Sequence, residues 1–315
     1  MNIAYIITAY MDPKQLKRLV EALGKQDVYI HIDNRRDINP FIETMSSVRN
    51  QHITFISERV KIGWGGYSQV VSLINLLKEV RASSKEYDRV VCLSGTDYPA
   101  KSIETIENNF NSSQKFMNVC KVTGNRKQSW RVLRYWKFDT NMNIPVVLSK
   151  MYKGLYNRVI SQFIYKIGIS KSEYVMIDGK KSDIYFGSDY WSLTYKCCMY
   201  VLDCIERNIN LEKYFRTSFV PSELMIQTIV CNSKYKEEVN VLECNSDGLI
   251  AYETLCALHY EIYDKMIKIF TMGDYEAIKA SGKLFFRKAY TGISDELLDR
   301  IKKENDKTFV ENKSK

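Results

Sequence analysis

The sequence predicts an α/β protein: a mostly parallel central sheet with helices on both faces. Three observations carry this. Short β-branched runs alternate with amphipathic helical stretches through the first half of the chain. The 315 residues are enough for one large domain with its own core. A composition of 45% hydrophobic and 26% charged residues is that of a globular chain and excludes wholesale disorder. One domain is expected over residues 1–300, with a charged, frayed tail over 301–315.

Taken in order, IAYIITA (3–9) reads as a buried strand. Leu16, Leu19, Val20 and Leu23 then repeat at i, i+3, i+4 and i+7, which is one face of a helix. VYIHID (28–33) and ITFIS (53–57) are two more strands, YSQVVSLINLLKEVRA (67–82) is a helix, and DRVVCLSG (88–95) is a strand ending in a glycine turn. In open α/β sheets ligands bind beyond the carboxyl ends of the strands. The loops carrying Tyr10, Asp33, Ser57–Glu58 and Ser94–Asp97 are therefore the places to look. A strand at YWSLT (190–194), a helix at YKCCMYVLDCIERN and a helix opening at PSELMIQTIVCN follow. Asp274 and Ser294 are expected helix N-caps, and KKENDKTFVENKSK is expected to fray.

No apolar run approaches the roughly 18 residues of a membrane-spanning helix, and the start lacks a basic n-region and cleavage site. A soluble, cytoplasmic protein is expected, with a peripheral seat on the inner membrane face as an option. The eight cysteines form no C-x-x-C pair and lie mostly in apolar runs, as buried thiols of a reducing compartment do. Only three histidines occur, widely scattered, which disfavours zinc. The basic excess is local. Residues 121–181 hold 13 Lys or Arg against 3 Asp or Glu, so this segment accounts for the whole net charge of +9. Its interleaved aromatics suit single-stranded nucleic acid, an anionic membrane surface, or a solvated face whose rings pack inward.

The chain has no P-loop, no G-x-G-x-x-G after the first strand and no G-x-S-x-G elbow. It also lacks an Asp-x-Asp pair for a divalent metal. Three features remain. His-Ile-Asp at 31–33 puts a carboxylate at a strand end, either for a ribose or uracil edge or for capping its own turn. Glu223 in VPSELM stands at a helix start, as a functional acid or as a cap. Arg287–Lys288 in LFFRKAY would neutralise a diphosphate without metal, or form a solvated pair.

Together and in order, several blocks resemble the core-2/I-branching β-1,6-N-acetylglucosaminyltransferase family, which includes protein xylosyltransferases. They are IAYIITAYMDPKQLKRLVEAL, VYIHIDNR, WGGYSQVVSLINLL with YDRVVCLSGTDYPAKS, FGSDYWSLTYKCCMYVLD, FVPSELMIQTIVCNS and GDYEAIKASGKLFFRKAY. The resemblance implies a GT-A type fold and inverting, metal-independent transfer of a sugar from a UDP-sugar to a glycan hydroxyl. It gives Glu223 the role of catalytic base. Arg287 and Lys288 would bind the diphosphate and Asp33 would lie near the nucleoside. Trp64, Ser94, Gly95, Thr96 and Asp97 would line the donor crevice. No metal or other cofactor is expected beside the UDP-sugar co-substrate, and no nucleic acid is expected.

The sequence departs from the animal members, which carry a membrane anchor and luminal disulfides, and so resembles the bacterial branch. Tyr10 follows the first strand where a histidine is common, and Lys265 falls where the animal enzymes have an arginine. The segment 121–181 has no clear counterpart and is expected to face the acceptor or a membrane. N-acetylglucosamine is the expected sugar, transferred in surface polysaccharide synthesis to a glycan that is in some cases lipid-linked. UDP-xylose or another UDP-hexose, a non-catalytic binder of anionic ligands, and a metal enzyme using Asp33 and Asp97 are the alternatives.

Overall fold

The computed structural model describes residues 1–49, 52–139, 146–245 and 247–313. Strand β1 (Ile3–Ala9) is central, with β2 (Asp27–Ile32) and β4 (Arg89–Ser94) parallel on either side. Strand β3 (His52–Phe55) extends the sheet beyond β2, also in parallel. The strand Ser192–Thr194 closes the far edge antiparallel to β4. Helices α1 (Pro13–Ala22), α2 (Asn39–Met45) and α3 (Ser68–Ala82) make the three crossovers.

Side-chain alternation along β1 explains why both faces are covered. Ile3, Tyr5 and Ile7 pack with Leu16, Leu19 and Val20 of α1 and with Phe41 of α2. Ala4 and Ile6 point the other way, against Val70, Leu73, Leu76 and Leu77 of α3 and against the helix Tyr195–Arg207. The start of α1 is set by Asp12, whose carboxylate accepts the Gln15 N–H at 3.0 Å, with Pro13 in the first turn.

Two smaller sheets bring later parts of the chain to the carboxyl ends of the parallel strands. Strand β5 (Asp97–Pro99) follows β4 after a two-residue turn and pairs antiparallel with Phe285–Arg287, placing Arg287 opposite Asp97. Strand β6 (Asn118–Lys121) pairs with Tyr185–Gly187 and Asn240–Leu242. The basic segment then contributes the short helix Trp130–Leu133, a helical rod from Val146 to Lys166, and the hairpin Tyr174–Ile177 with Lys180–Asp183.

Three details differ from the sequence expectation. The carboxylate of Asp274 does not cap the helix it precedes; it turns back to accept the Thr271 N–H at 3.0 Å. The Ser294 hydroxyl donates to Phe270 O at 2.7 Å and accepts the Tyr290 N–H. The last helix, Asp295–Lys313, continues where fraying is expected; Leu297, Leu298 and Ile301 seat its first turns, and Arg300–Glu304 and Lys302–Asp306 pairs support it.

All eight cysteines are free, and every one except Cys244 is buried. Among the described residues no helix is long and apolar enough to cross a membrane.

Gly95 sits where the end of β4 crosses the end of β1, its N–H donating to Thr8 O at 2.9 Å. A Cβ there would lie 2.6 Å from that of Ala9, and neither methyl can swing away. Gly95→Ala is expected to destabilise the fold by about 1–3 kcal/mol. Urea unfolding checks this, as a lower midpoint with an unchanged slope.

Candidate active site

Asp33 follows β2 directly and is buried. The Arg35 guanidinium grips it at 2.6 and 3.0 Å, and the Arg35 and Ile62 N–H groups donate at 2.9 and 3.3 Å. Burial pushes this carboxyl up, but those donors outweigh it and hold it below its usual range. Asp33 therefore closes its own turn and also fastens the loop leading to Trp64. His31, two residues earlier, is buried and accepts the Val60 N–H at 2.9 Å; burial drives its pKa down to about 4, so it is neutral.

The turn after β4 folds back on itself. Ser94 N–H donates to Asp97 Oδ2 at 2.7 Å, and the Ser94 and Thr96 hydroxyls lie 3.1 Å apart. Thr96 O accepts the Ala289 N–H at 2.8 Å, which ties this turn to the Arg287–Lys288 segment. Asp97 is fully buried. Its Oδ2 meets His259 Nε2 at 2.9 Å and its Oδ1 lies 3.2 Å from Arg287 Nε.

Arg287 is enclosed, with its guanidinium carbon 4.2 Å above the Tyr190 ring and Nη1 3.7 Å from Glu261. Burial opposes its charge, but Tyr190, Asp97 and Glu261 outweigh that and keep it protonated. Burial in turn raises the Glu261 carboxyl, partly offset by Arg287. Lys288 is only half-buried, and burial together with neighbouring Arg287 lowers its ammonium.

Glu223 ends a 3-10 turn, Pro221–Glu223, that begins after Val220 in a left-handed conformation (φ 46°). It keeps some solvent access, yet protein surrounds it closely. Burial first and the Asp189 charge second push its carboxyl well up, while Arg131 and a hydrogen bond from Tyr252 pull it down. A helix N-terminus would depress such a carboxyl; here desolvation wins. Asp189 is coupled to both parts of the site: its charge raises Glu223, and the Arg287 charge lowers Asp189 itself. Its Oδ1 is buried with no hydrogen-bond partner, and burial raises its pKa to about 6.

Trp64 is 74% exposed and stands edge-on to Phe138 and Phe219, at 5.9 and 6.4 Å. With Trp130 and Trp136 these rings form an aromatic rim next to the Glu223 segment. Asp139 pins that rim to α3, accepting the Ser68 N–H and hydroxyl at 2.7 Å each. Asp33, Ser94, Gly95, Thr96, Asp97, Arg287 and Lys288 thus share the carboxyl edge of the sheet. Glu223 is coupled to them electrostatically, through Asp189 and Glu261, and Trp64 sits on the rim.

Sequence reasoning missed Asp189, Tyr190, Tyr252, His259, Glu261 and Arg131. The signal for Asp189 and Tyr190 was present, because they are the polar centre of FGSDYW. Among the described residues no three His, Cys, Asp or Glu side chains converge as a metal-holding group.

An acid whose pKa is raised on folding binds its proton more tightly in the native state. Native Asp189 is therefore penalised as pH rises from its unfolded value of 3.8 through about 6, and the penalty is constant above that. Asp189→Asn is expected to remove this fall and gain up to about 3 kcal/mol at pH 7. Urea unfolding between about pH 4 and 8 checks it.

Comparison with known proteins gives the family. Xylosyltransferase oxt of Drosophila melanogaster is 25% identical over 230 residues, covering 70% of this chain and 23% of that protein. The probable beta-1,3-galactosyl-O-glycosyl-glycoprotein beta-1,6-N-acetylglucosaminyltransferase 7 of Homo sapiens is 24% identical over 207 residues, 64% of this chain and 43% of that protein. The chain thus spans less than half the length of these relatives. Among solved structures, S. aureus TarS 1-349 matches 77% of this chain and 58% of its own at 15% identity and a TM-score of 0.34. Mouse xyloside xylosyltransferase 1 matches 78% and 86% at 10% identity and a TM-score of 0.32. The model of the core-2/I-branching enzymes matches residues 3–242, most of the α/β sheet and the Glu223 turn included, and this chain belongs to that family.

Proposed function

We propose that the chain is an inverting, metal-independent glycosyltransferase of GT-A type. It moves N-acetylglucosamine from a UDP-sugar to a glycan hydroxyl with β linkage, in bacterial surface polysaccharide synthesis. Its acceptor is lipid-linked, and the protein works in the cytoplasm at the inner membrane face, with its basic segment toward anionic lipid. The observation that carries the reading is that Glu223, a carboxyl raised well up by burial, shares the neighbours Asp189, Tyr252 and Glu261 with the buried cation Arg287, and Lys288 follows Arg287 in the chain.

Inversion needs one in-line displacement. The acceptor oxygen bonds to the anomeric carbon as the bond from that carbon to the β-phosphate oxygen breaks. The hydroxyl proton passes to Glu223, and the electron pair leaves with UDP. A carboxylate raised toward neutrality is a stronger base than an exposed one. Arg287 is already committed to Asp97 and Glu261, so it supplies a fixed positive field. Lys288, with no ion-pair partner among the described residues, is the cation left to meet the phosphate directly. Of the carboxylates that a metal would need, Asp33 is gripped by Arg35, and Asp97 meets His259 through Oδ2 and lies in ion-pair range of Arg287 through Oδ1.

A second donor is favoured by one finding: several relatives are named xylosyltransferases, which makes UDP-xylose the alternative sugar. A non-catalytic binder of anionic ligands would tolerate loss of Glu223.

UDP release from UDP-GlcNAc, UDP-xylose, UDP-glucose and UDP-galactose, with EDTA present, tests the proposal. One donor should be consumed at a rate that rises with pH as Glu223 loses its proton. Glu223→Gln should lower turnover by about 10²–10⁴ while UDP still stabilises the protein. Lys288→Ala should lose that stabilisation. Activity that vanishes in EDTA and returns with a divalent metal would overturn the metal-independent mechanism. Full turnover in Glu223→Gln would remove the base assigned here.

A further inference from the structure

Residues 146–166 form one continuous helical rod: Val146–Leu155, a π turn Tyr156–Ile160 and Ser161–Lys166. Its inner face is Tyr156, Asn157 and Ser161. Asn157 clasps the Lys137 backbone in both directions, at 2.9 and 2.8 Å, and Arg134 donates to Asn157 O at 2.6 Å. The outer face is aliphatic and bare. Val147, Leu148, Met151, Leu155, Val159 and Phe163 are each 52–68% exposed, and Ile167 and Ile169 continue the row.

From Val147 this row advances in steps of four residues. In an unbroken α-helix each such step turns about 40° past a full circle, which would wind the row around the rod. The π turn holds more residues per turn and takes back part of that drift. The row thus stays on one side, opposite the docked face.

Charge decides what covers it. Residues 146–171 contain Lys150, Lys153, Arg158, Lys166 and Lys171 and no acid. Lys150, Arg158 and Lys166 are exposed beside the aliphatic row. A second copy laid on this face would bring cations to cations with no carboxylate on the rod to meet them. Nucleic acid would need a series of stacking rings, and this row offers only Phe163. Aliphatic side chains flanked by cations match an anionic lipid surface, where the chains enter the acyl boundary and the cations meet headgroups.

We propose that residues 147–169 form an interfacial anchor that lies in the plane of an anionic membrane. The proposal deepens the lipid-linked acceptor reading above and rests on it for its purpose. The rod is clasped to the 131–139 segment, which bonds to the chain just before the base: Trp136 N–H to Thr217 O at 2.9 Å and Phe219 N–H to Arg131 O at 2.8 Å. Seating the rod holds the Glu223 side of the crevice close to the headgroups, where a lipid-linked glycan emerges.

The test is flotation of the full chain with phosphatidylcholine vesicles, with and without phosphatidylglycerol. Gel filtration and UDP-induced thermal stabilisation are measured on the same protein without lipid. The chain is expected to float with the anionic vesicles at low salt and to be released by about 0.5 M NaCl. Leu155→Glu with Phe163→Glu, and separately Lys150→Glu with Arg158→Glu, should each weaken partitioning at least about tenfold, with the UDP shift unchanged. A wild-type chain that stays at the bottom of the gradient with anionic vesicles at low salt overturns the anchor, whatever UDP does. So does a dimer that the Leu155→Glu, Phe163→Glu variant splits, which would make the face a contact between copies. Flotation that persists while UDP gives no shift sustains the anchor and removes the transferase reading instead.

Discussion

A buried guanidinium survives only beside a counter-charge, and here that counter-charge is Asp97. Removing one partner of such a pair typically costs about 3–5 kcal/mol, because the other is left uncompensated. The pairing therefore governs more than one contact. It fixes the register of Phe285–Arg287 on β5 and so draws the last part of the chain onto the carboxyl edge of the parallel sheet. The same carboxylate holds His259, and Tyr190 packs against both His259 and Arg287.

From that constraint follows a division of roles between two neighbouring cations. Arg287 is a structural charge, locked by Asp97, Glu261 and a ring. Lys288 is a half-buried point charge with no ion-pair partner among the described residues, lowered by burial and then by Arg287. The acids near them behave in the opposite sense. Burial raises both Glu223 and Asp189, and the Asp189 charge raises Glu223 further. The raised acids and the buried cation therefore share neighbours: Glu261 and Tyr252 act on both Glu223 and Arg287, and Asp189 is coupled to each.

Much of the scaffold was legible because its signals are local. The i, i+3, i+4 row of Leu16, Leu19 and Val20 and the β-branched runs at 3–9 and 88–95 identify α1, β1 and β4 without knowledge of the fold. Glu223, Arg287 and Lys288 were legible only through blocks of family resemblance, since each alone also suits a cap or a surface pair. The rest was not readable. Glu261 and His259 matter because a three-stranded sheet brings them beside Asp97, about 160 residues away in the chain. Asp274 and Ser294 were read as caps from position, yet both hydrogen-bond to groups upstream of their helices. Arg35 gave no signal at all, although it decides how much of Asp33 is free.

The burial of seven cysteines leaves the chain with one thiol open to solvent. Burial pushes Cys120 and Cys231 up to about 12 and Cys204 to about 11, so at neutral pH these sulfurs are protonated and slow to react. Cys244 alone keeps part of its surface, beside Asn125 and just past the strand that borders β6. The native protein is in effect a single-cysteine protein. A thiol-directed fluorophore or spin label would attach at Cys244 without any engineering, giving a ready-made reporter beside the β6 sheet.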